Sequence, residues 1–157
     1  MTASLRSART VVTTDRWFTF PARPDVVRRA LGATGSYRHW WPWLTKLDAD
    51  GLFAGATWRC TVRSPLRTSL IFRLQIDRAD TDVVTARLDG DLVGSARISL
   101  LNGAEHTTEL HLEACLQPRG NAVAALARLV PTLAQRSHDR IVDTGARQFA
   151  AALRREP

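Results

Sequence analysis

His138 is the ionisable side chain that is best placed in this sequence to act on another molecule. It lies on a stripe of mostly apolar residues that recur at steps of three and four, between Ala134 and Val142. A neutral imidazole on such a stripe can hydrogen-bond a ligand carbonyl or act as a general acid or base. A core histidine that is satisfied by a neighbouring group gives the same pattern, so both interpretations stay open.

Two further groups of titratable side chains have regular spacing. Glu109, His111 and Glu113 alternate along a strand-like run and therefore share one face, as metal ligands or an acid/base cluster would. The opposite face of that run is apolar, so we expect the cluster to face solvent and to hold no metal. Asp139 and Asp143 lie four residues apart among arginines, a spacing typical of ion pairs on an exposed helix face.

The sequence contains no glycine-rich phosphate loop, nucleophile elbow or zinc motif, so we expect no cofactor. Its two cysteines, Cys60 and Cys115, lack metal or redox spacing and are predicted to be buried thiols rather than a disulfide. No apolar run approaches the ~20 residues that cross a bilayer, and no apolar stretch follows the basic N-terminus. These features indicate a cytoplasmic protein without a secretory signal or transmembrane segment.

The composition is that of one globular domain. The chain has 157 residues, of which 45% are hydrophobic and 24% are charged, and this length supports one substantial core. We interpret residues 1–157 as a single domain with a loose segment at residues 1–9.

The positive charge of the chain comes almost entirely from arginine. The net charge is +7, and Lys46 is the only lysine. The arginines on the predicted outer strand faces have two interpretations. They form either a solvated surface or a docking surface for an acidic carrier protein that bears a tethered substrate. Nucleic acid is not an expected partner, because no binding motif is present and aromatic residues are not interleaved with these arginines. The arginines concerned are Arg59, Arg63, Arg73, Arg87 and Arg97.

The predicted order of elements is a strand, two short helices, six strands and a long helix. One short helix opens at Pro24 and ends before Gly32, and a second short helix or turn lies within residues 34–44. A helical period runs from Ala122 to Arg155 and is interrupted at Pro131. The dipeptides Asp89-Gly90 and Asn102-Gly103 predict tight hairpin turns with positive φ. Strands are predicted at residues 10–20, 45–49, 56–64, 68–78, 82–89, 92–101 and 105–117.

The strands alternate between apolar and polar residues. In the run 68–78, for example, Leu70, Phe72, Leu74 and Ile76 share one face. This alternation is typical of an antiparallel sheet that is covered on one side only, and the apolar stripe of the long helix is the predicted cover. One helix cannot fill the concave side of a strongly curved sheet, so side chains, water or a ligand must occupy the remaining space.

This order of elements resembles the helix-grip fold of the START-like (Bet v 1-like) superfamily, and in particular its bacterial polyketide cyclase/dehydrase-type members. The resemblance covers roughly residues 10–155. It rests on local patterns that look like the first strand and helix, the tryptophan-rich second helix, the last two strands and the final helix of that family. These patterns are Phe18-x-Phe20-Pro-Ala-x-Pro-x-x-Val27, Trp40-Trp41-Pro42-Trp43-Leu44, Gly90-x-Leu92-x-Gly94, Thr108-x-Leu110, and His138 with Gly145 seven residues later.

The resemblance implies an α+β helix-grip fold, with a curved seven-stranded antiparallel sheet, two short helices and a long C-terminal helix that enclose an apolar cavity. It implies binding or carriage of a small hydrophobic molecule, either a lipid or a polyketide-like compound. One alternative is a polyketide cyclase, aromatase or dehydratase that uses His138 as acid or base; another is an interaction module with a basic surface. Inward strand positions are overwhelmingly apolar, with Thr108 the main polar one, so the sequence leaves open whether the protein is an enzyme.

Ligand contacts are expected from three places: the aromatic cluster, the inward face of the strands and the apolar stripe of the long helix. The aromatic rings would either form a platform at the mouth of the pocket or plug one end of the sheet. His138 is the only candidate for a catalytic role. The residues expected to contact the ligand are Tyr37, Trp40, Trp41, Trp58, Cys60, Phe72, Leu74, Ile98, Thr108, Leu110, His138 and Val142.

Overall fold

Seven antiparallel strands form one sheet in the computed structural model of the chain, which describes residues 11–63, 67–119 and 131–155. The spatial order is β1-β7-β6-β5-β4-β3-β2, so the first two strands lie at the two edges. This arrangement confirms the expected seven-stranded antiparallel sheet. The strands are β1 (Val12–Phe20), β2 (Leu44–Asp48), β3 (Thr57–Arg63), β4 (Ser69–Ala79), β5 (Val83–Gly90), β6 (Leu92–Asn102) and β7 (Thr108–Pro118).

Three α-helices accompany the sheet within the described residues: α1 (Pro24–Gly32), α2 (Tyr37–Trp40) and α3 (Pro131–Arg155). A single 3₁₀ turn at Thr34–Ser36 joins α1 to α2. The proline at the start of α1 suits the first helical position, where its missing N–H would have no partner in any case. The predicted loose segment at residues 1–9 and the predicted helical period before Pro131 lie outside the described residues.

The sheet is apolar on one face, as the alternation predicts. In β4, Leu70 and Ile76 are buried, whereas Ile71 and Arg73 between them are exposed. Residues paired across neighbouring strands face the same side of the sheet. Trp58 of β3, for example, is paired with Leu74 of β4, and both face the core. The covered face holds the core and receives α3, and the other face meets solvent.

Gly94 lets β6 and β7 approach each other closely where the sheet curves. Its φ is +150°, and a Cβ at this position would lie 1.9 Å from the carbonyl oxygen of Cys115. Only glycine avoids that overlap, which explains why the Gly90-x-Leu92-x-Gly94 pattern ends in glycine.

The prediction of a tight turn at Asn102-Gly103 is wrong. Strand pairing ends at Asn102↔Thr108, and the connection between them contains a 3₁₀ turn at Ala104–His106. The positive φ angles fall on Glu105 and His106, at 52° and 65°, rather than on the glycine. Gly103 instead closes the longer loop, because its N–H donates to the carbonyl of Thr107 at 3.0 Å.

No helix in the part of the chain that the structure describes is both long enough and apolar enough to cross a membrane.

Candidate functional site

Aromatic side chains close one end of the space between the sheet and α3. Tyr37 packs edge-on against Trp41 and Trp58, with ring centroids 4.7 and 5.7 Å away. Trp40 and Trp41 contact Phe149 of α3, whose side chain is buried. This end of the interior is therefore filled by protein, which corresponds to the plug interpretation of the aromatic cluster.

The same aromatic residues fix the position of α3. The indole N–H of Trp41 donates to the carbonyl of Gly145 at 2.9 Å, and that of Trp43 donates to Oε1 of Gln148 at 3.1 Å. A Cβ on Gly145 would lie 3.3 Å from the Trp43 ring, so glycine allows the helix to sit directly on the indoles. Two part-buried indole donors thereby find acceptors on α3.

The other end of the interior contains a cavity of about 390 Å³. It lies beneath the first turns of the described part of α3, where β1 and β4 begin and β3 and β7 end. Its volume lies within the range of small-molecule sites, near the lower limit. Its wall consists of Val12, Thr14, Trp43, Val62, Thr68, Leu70, Phe72, Leu74, Leu88, Leu92, Ala96, Leu112, Ala114, Leu116, Pro118, Ala134, Ser137, His138, Ile141 and Val142.

The wall of this cavity is almost entirely apolar. Sheet and helix both contribute aliphatic side chains, because the cavity lies between the inward face of the strands and the apolar stripe of α3. The polar side chains in the wall are those of Thr14, Thr68, Ser137 and His138. None of the described residues in the wall is formally charged at neutral pH, once His138 is neutral.

His138 and Thr14 form the polar feature of the cavity. The imidazole Nε2 of His138 is hydrogen-bonded to the hydroxyl Oγ1 of Thr14, which lies on the inward face of β1. Burial lowers the pKa of His138, and the nearby Asp139 carboxylate opposes this effect only in part. The imidazole is therefore neutral at pH 7. Its Nδ1 forms no hydrogen bond to any described residue.

A polar clamp outside the cavity holds α3 against the edge of β1. The side-chain amide of Gln135 accepts from the N–H of Thr13 at 3.1 Å and donates to its carbonyl at 2.8 Å. Arg16 lies between two helix carboxylates, 3.4 Å from Asp143 and 4.0 Å from Asp139. The two aspartates were expected to form ion pairs, and their partner is an arginine of the sheet.

The structure divides the expected ligand residues between the cavity and the core. Phe72, Leu74, His138 and Val142 lie in the cavity wall. Thr108 is fully buried elsewhere and donates to the carbonyl of Ala22 at 2.6 Å. The remaining expected residues pack in the aromatic end and the adjoining core, outside the cavity wall: Tyr37, Trp40, Trp41, Trp58, Cys60, Ile98 and Leu110.

Sequence reasoning missed Thr14 and Ser137, which are polar members of the cavity wall. Thr14 alternates with Val12 and Phe18 along β1, so the strand period alone would have placed it inward. Ser137 follows Ala134 by three residues and precedes Ile141 by four, which puts it on the same helix stripe. The periodicity therefore places both Thr14 and Ser137 on inward faces. They were missed because those faces were identified from their apolar residues, and both side chains carry a hydroxyl group.

The Glu109, His111 and Glu113 cluster lies on the outer face of the sheet. The ring of His111 stacks under that of Trp17 at 4.1 Å, and its Nε2 lies 2.6 Å from a carboxylate oxygen of Asp15. Glu113 is farther away, 3.7 Å from Nδ1 of the same ring. Among the described residues no group of three or more such side chains is arranged to hold a metal ion.

The two cysteines differ in their surroundings. Cys60 is a buried thiol, as expected, and burial raises its pKa to about 11. The prediction that Cys115 is also buried is wrong, because it lies on the exposed face of β7, between the inward residues Ala114 and Leu116. Both thiols are free.

The curved sheet, the helix across it and the cavity between them define a helix-grip protein. Solved structures with this fold are similar to the chain along most of its length, and they confirm the resemblance to START-like and Bet v 1-like proteins at the level of the fold. The aromatase/cyclase ZhuI from Streptomyces sp. R1128 is 15% identical, with a TM-score of 0.70 over 92% of this chain and 94% of that one.

Two further structures have the same fold. Ara h 8.0201 is 14% identical and has a TM-score of 0.67, with coverage of 91% of this chain and 97% of that one. A START superfamily protein from Mycobacterium smegmatis is 15% identical, with a TM-score of 0.59 over 81% of this chain and 97% of that one. No protein-family model matches the sequence, and a search of curated proteins finds no match.

The partly buried His138 should make the protein less stable in acid. The unfolded histidine takes up a proton near its ordinary pKa of about 6.5, whereas the folded one resists protonation until a lower pH. Its contribution is therefore complete above the unfolded pKa and is lost as the pH falls toward the folded pKa, by up to ~1.4 kcal/mol per pH unit. Urea unfolding at a series of pH values from 7 to 5 measures this dependence. His138→Gln should remove this part of the slope, and an identical slope in both proteins would contradict the assignment.

Proposed function

We propose that the protein binds or carries a small hydrophobic molecule, lipid or polyketide-like, in the cavity between the sheet and α3. The observation that carries this proposal is an apolar cavity of about 390 Å³, partly open to solvent, in an interior whose other end is tightly filled. An aromatase/cyclase and a START superfamily protein share the fold, which supports a ligand site of this general kind.

The physical basis for affinity is removal of apolar surface from water. Burying an apolar ligand against aliphatic side chains yields ~25 cal/mol for each Å² of apolar surface, before the cost of immobilising the ligand. Phe72, Leu74 and Val142 would supply this contact from the strands and the helix. His138 would orient the ligand, since its imidazole lies in the cavity wall and is hydrogen-bonded to the Thr14 hydroxyl.

Filling the cavity should weaken binding without unfolding the protein. In Val142→Phe the larger side chain would occupy ligand space, and we expect the affinity for an apolar probe to fall at least tenfold, which is ~1.4 kcal/mol. Isothermal titration calorimetry measures the affinity. Val11→Phe is the matched control, because it makes the same change at an exposed position of the sheet edge. Equal affinities for the two variants would place the ligand outside this cavity.

An enzyme is the second candidate: a polyketide cyclase, aromatase or dehydratase in which His138 acts as acid or base. The observation that favours it is a neutral imidazole in the cavity wall, held in orientation by the Thr14 hydroxyl and with Nδ1 available. A base of lowered pKa is unprotonated at neutral pH and can accept a proton from an acidic C–H or hydroxyl group. The apolar wall would exclude water from the transfer.

Replacing this base should separate turnover from binding. With a poly-β-ketone substrate, we expect His138→Gln to reduce the rate of cyclisation or dehydration by about 10²-fold or more, while the affinity for the substrate changes little. Product formation measured by liquid chromatography, together with a binding titration, distinguishes the two quantities. Turnover at the wild-type rate in the variant would exclude His138 as the acid or base.

We further propose that the partner of this protein is an acidic carrier protein. Arg59, Arg63 and Arg73 are exposed on the outer face of β3 and β4, and none has an ion-pair partner among the described residues. They surround Ile71, whose side chain is 63% exposed. Arg87, by contrast, is already paired with Asp77 at 2.8 Å, and the exposed Arg97 of β6 donates to the Ser99 hydroxyl at 3.4 Å.

Charge reversal tests this surface. We expect Arg59→Glu to weaken association with an acidic acyl carrier protein about tenfold at low salt, and 0.5 M NaCl to remove most of the difference, since exposed charges are screened. Arg154→Glu at the exposed end of α3 is the control for net charge. Surface plasmon resonance at two salt concentrations gives the comparison, and equal effects of the two substitutions would contradict a specific docking surface.

The proposal also includes a single domain and a cytoplasmic location.

A further inference from the structure

The cavity offers no partner for a charged ligand within the described residues. The wall residues that the structure describes carry aliphatic and aromatic side chains and a few hydroxyl groups, and His138 is the only titratable group among them. Ionised side chains of the described part of α3 form the clamp with β1, where Arg16 already lies between Asp139 and Asp143. These groups are absent from the cavity wall, and the positive and negative charges within the clamp offset each other.

The His138–Thr14 pair can either donate a hydrogen bond to a neutral polar group or accept one from it. If the Thr14 hydroxyl donates to Nε2, the imidazole proton is on Nδ1, which then donates to a ligand. If Nε2–H donates to Thr14 Oγ1, Nδ1 is an acceptor and the hydroxyl proton of Thr14 is available to donate. Proton exchange between the two arrangements therefore lets the pair bind a carbonyl oxygen or a hydroxyl group.

We propose that this site selects an uncharged molecule, an aliphatic body with one terminal hydroxyl or carbonyl group held by His138 and Thr14, and rejects carboxylates and ammonium ions with the same body. This inference rests on the proposed function of hydrophobic-ligand binding and adds a specificity to it. The basis for rejection is desolvation, because an ion that leaves water for an apolar cavity without a counter-charge loses its hydration uncompensated.

The size of the cavity sets the length of the ligand body. A space of about 390 Å³ corresponds to about a dozen water molecules at ~30 Å³ each. A chain of about ten carbons displaces a comparable volume, so decyl compounds are suitable probes. They differ only in the terminal group, which makes them a direct test of charge.

The experiment is isothermal titration calorimetry of the full chain at pH 7 with decan-1-ol, decan-2-one, decanoate and decylammonium. We expect the alcohol and the ketone to bind at one saturable site, and the two ions to bind at least about tenfold more weakly. Decanoate binding within about twofold of decan-1-ol would overturn the specificity and leave the proposed function standing. Failure of all four compounds to bind would contradict the proposed function itself.

A near-isosteric substitution tests the polar pair. Thr14→Val keeps the volume of the side chain and removes the hydroxyl, so we expect the affinity for decan-1-ol to fall about fivefold. Thr13→Val is the matched control on the adjacent, exposed position of β1 and should bind as the wild type does. Far-ultraviolet circular dichroism and urea unfolding establish that both variants are folded. Equal affinity in the two variants would exclude Thr14 from ligand recognition.

Discussion

One helix lying across the concave face of a seven-stranded sheet leaves space that the backbone cannot fill. The molecule meets this constraint differently at its two ends. At one end Tyr37, the neighbouring tryptophans and Phe149 fill the interior with rings in edge-on contact. At the other end the wall is built mostly from aliphatic side chains that do not fill the space, and a cavity remains. The position of the cavity therefore follows from where the large side chains are placed.

The attachment of α3 follows the same division. The aromatic end holds the helix by close packing at Gly145 and by indole hydrogen bonds to its backbone and to Gln148. At the cavity end the helix makes fewer apolar contacts. There, polar side chains of α3 from Gln135 to Asp143 bind it to β1. Since these polar groups lie beside the cavity rather than in it, the helix can be anchored without introducing charge into the wall. His138 is the exception, and burial keeps it neutral.

Most of the fold could be predicted from the sequence, because strand alternation and helix period report directly which face of each element is buried. The β4 residues Leu70 and Ile76 show this, as does the exposed Ile71 that interrupts the pattern. The loop after Asn102 could not be predicted, since its left-handed residues are Glu105 and His106, which carry no turn signal. The site was predicted only in part. Trp58 and Leu74 are cross-strand neighbours on the same inward face, yet only Leu74 borders the cavity. That difference depends on where α2 and α3 pack, which local sequence does not specify.

The most direct test of the account is to locate a bound apolar molecule on the protein. Methyl-labelled nuclear magnetic resonance spectra recorded during a titration with decan-1-ol report which leucine, isoleucine and valine side chains sense the ligand. The account predicts saturable shifts for wall residues such as Leu112, Ile141 and Val142, with none for the buried Val27 and Leu31 of α1 or for the exposed Ile71. Shifts confined to exposed residues, or no shifts at saturating ligand, would contradict a ligand-binding cavity.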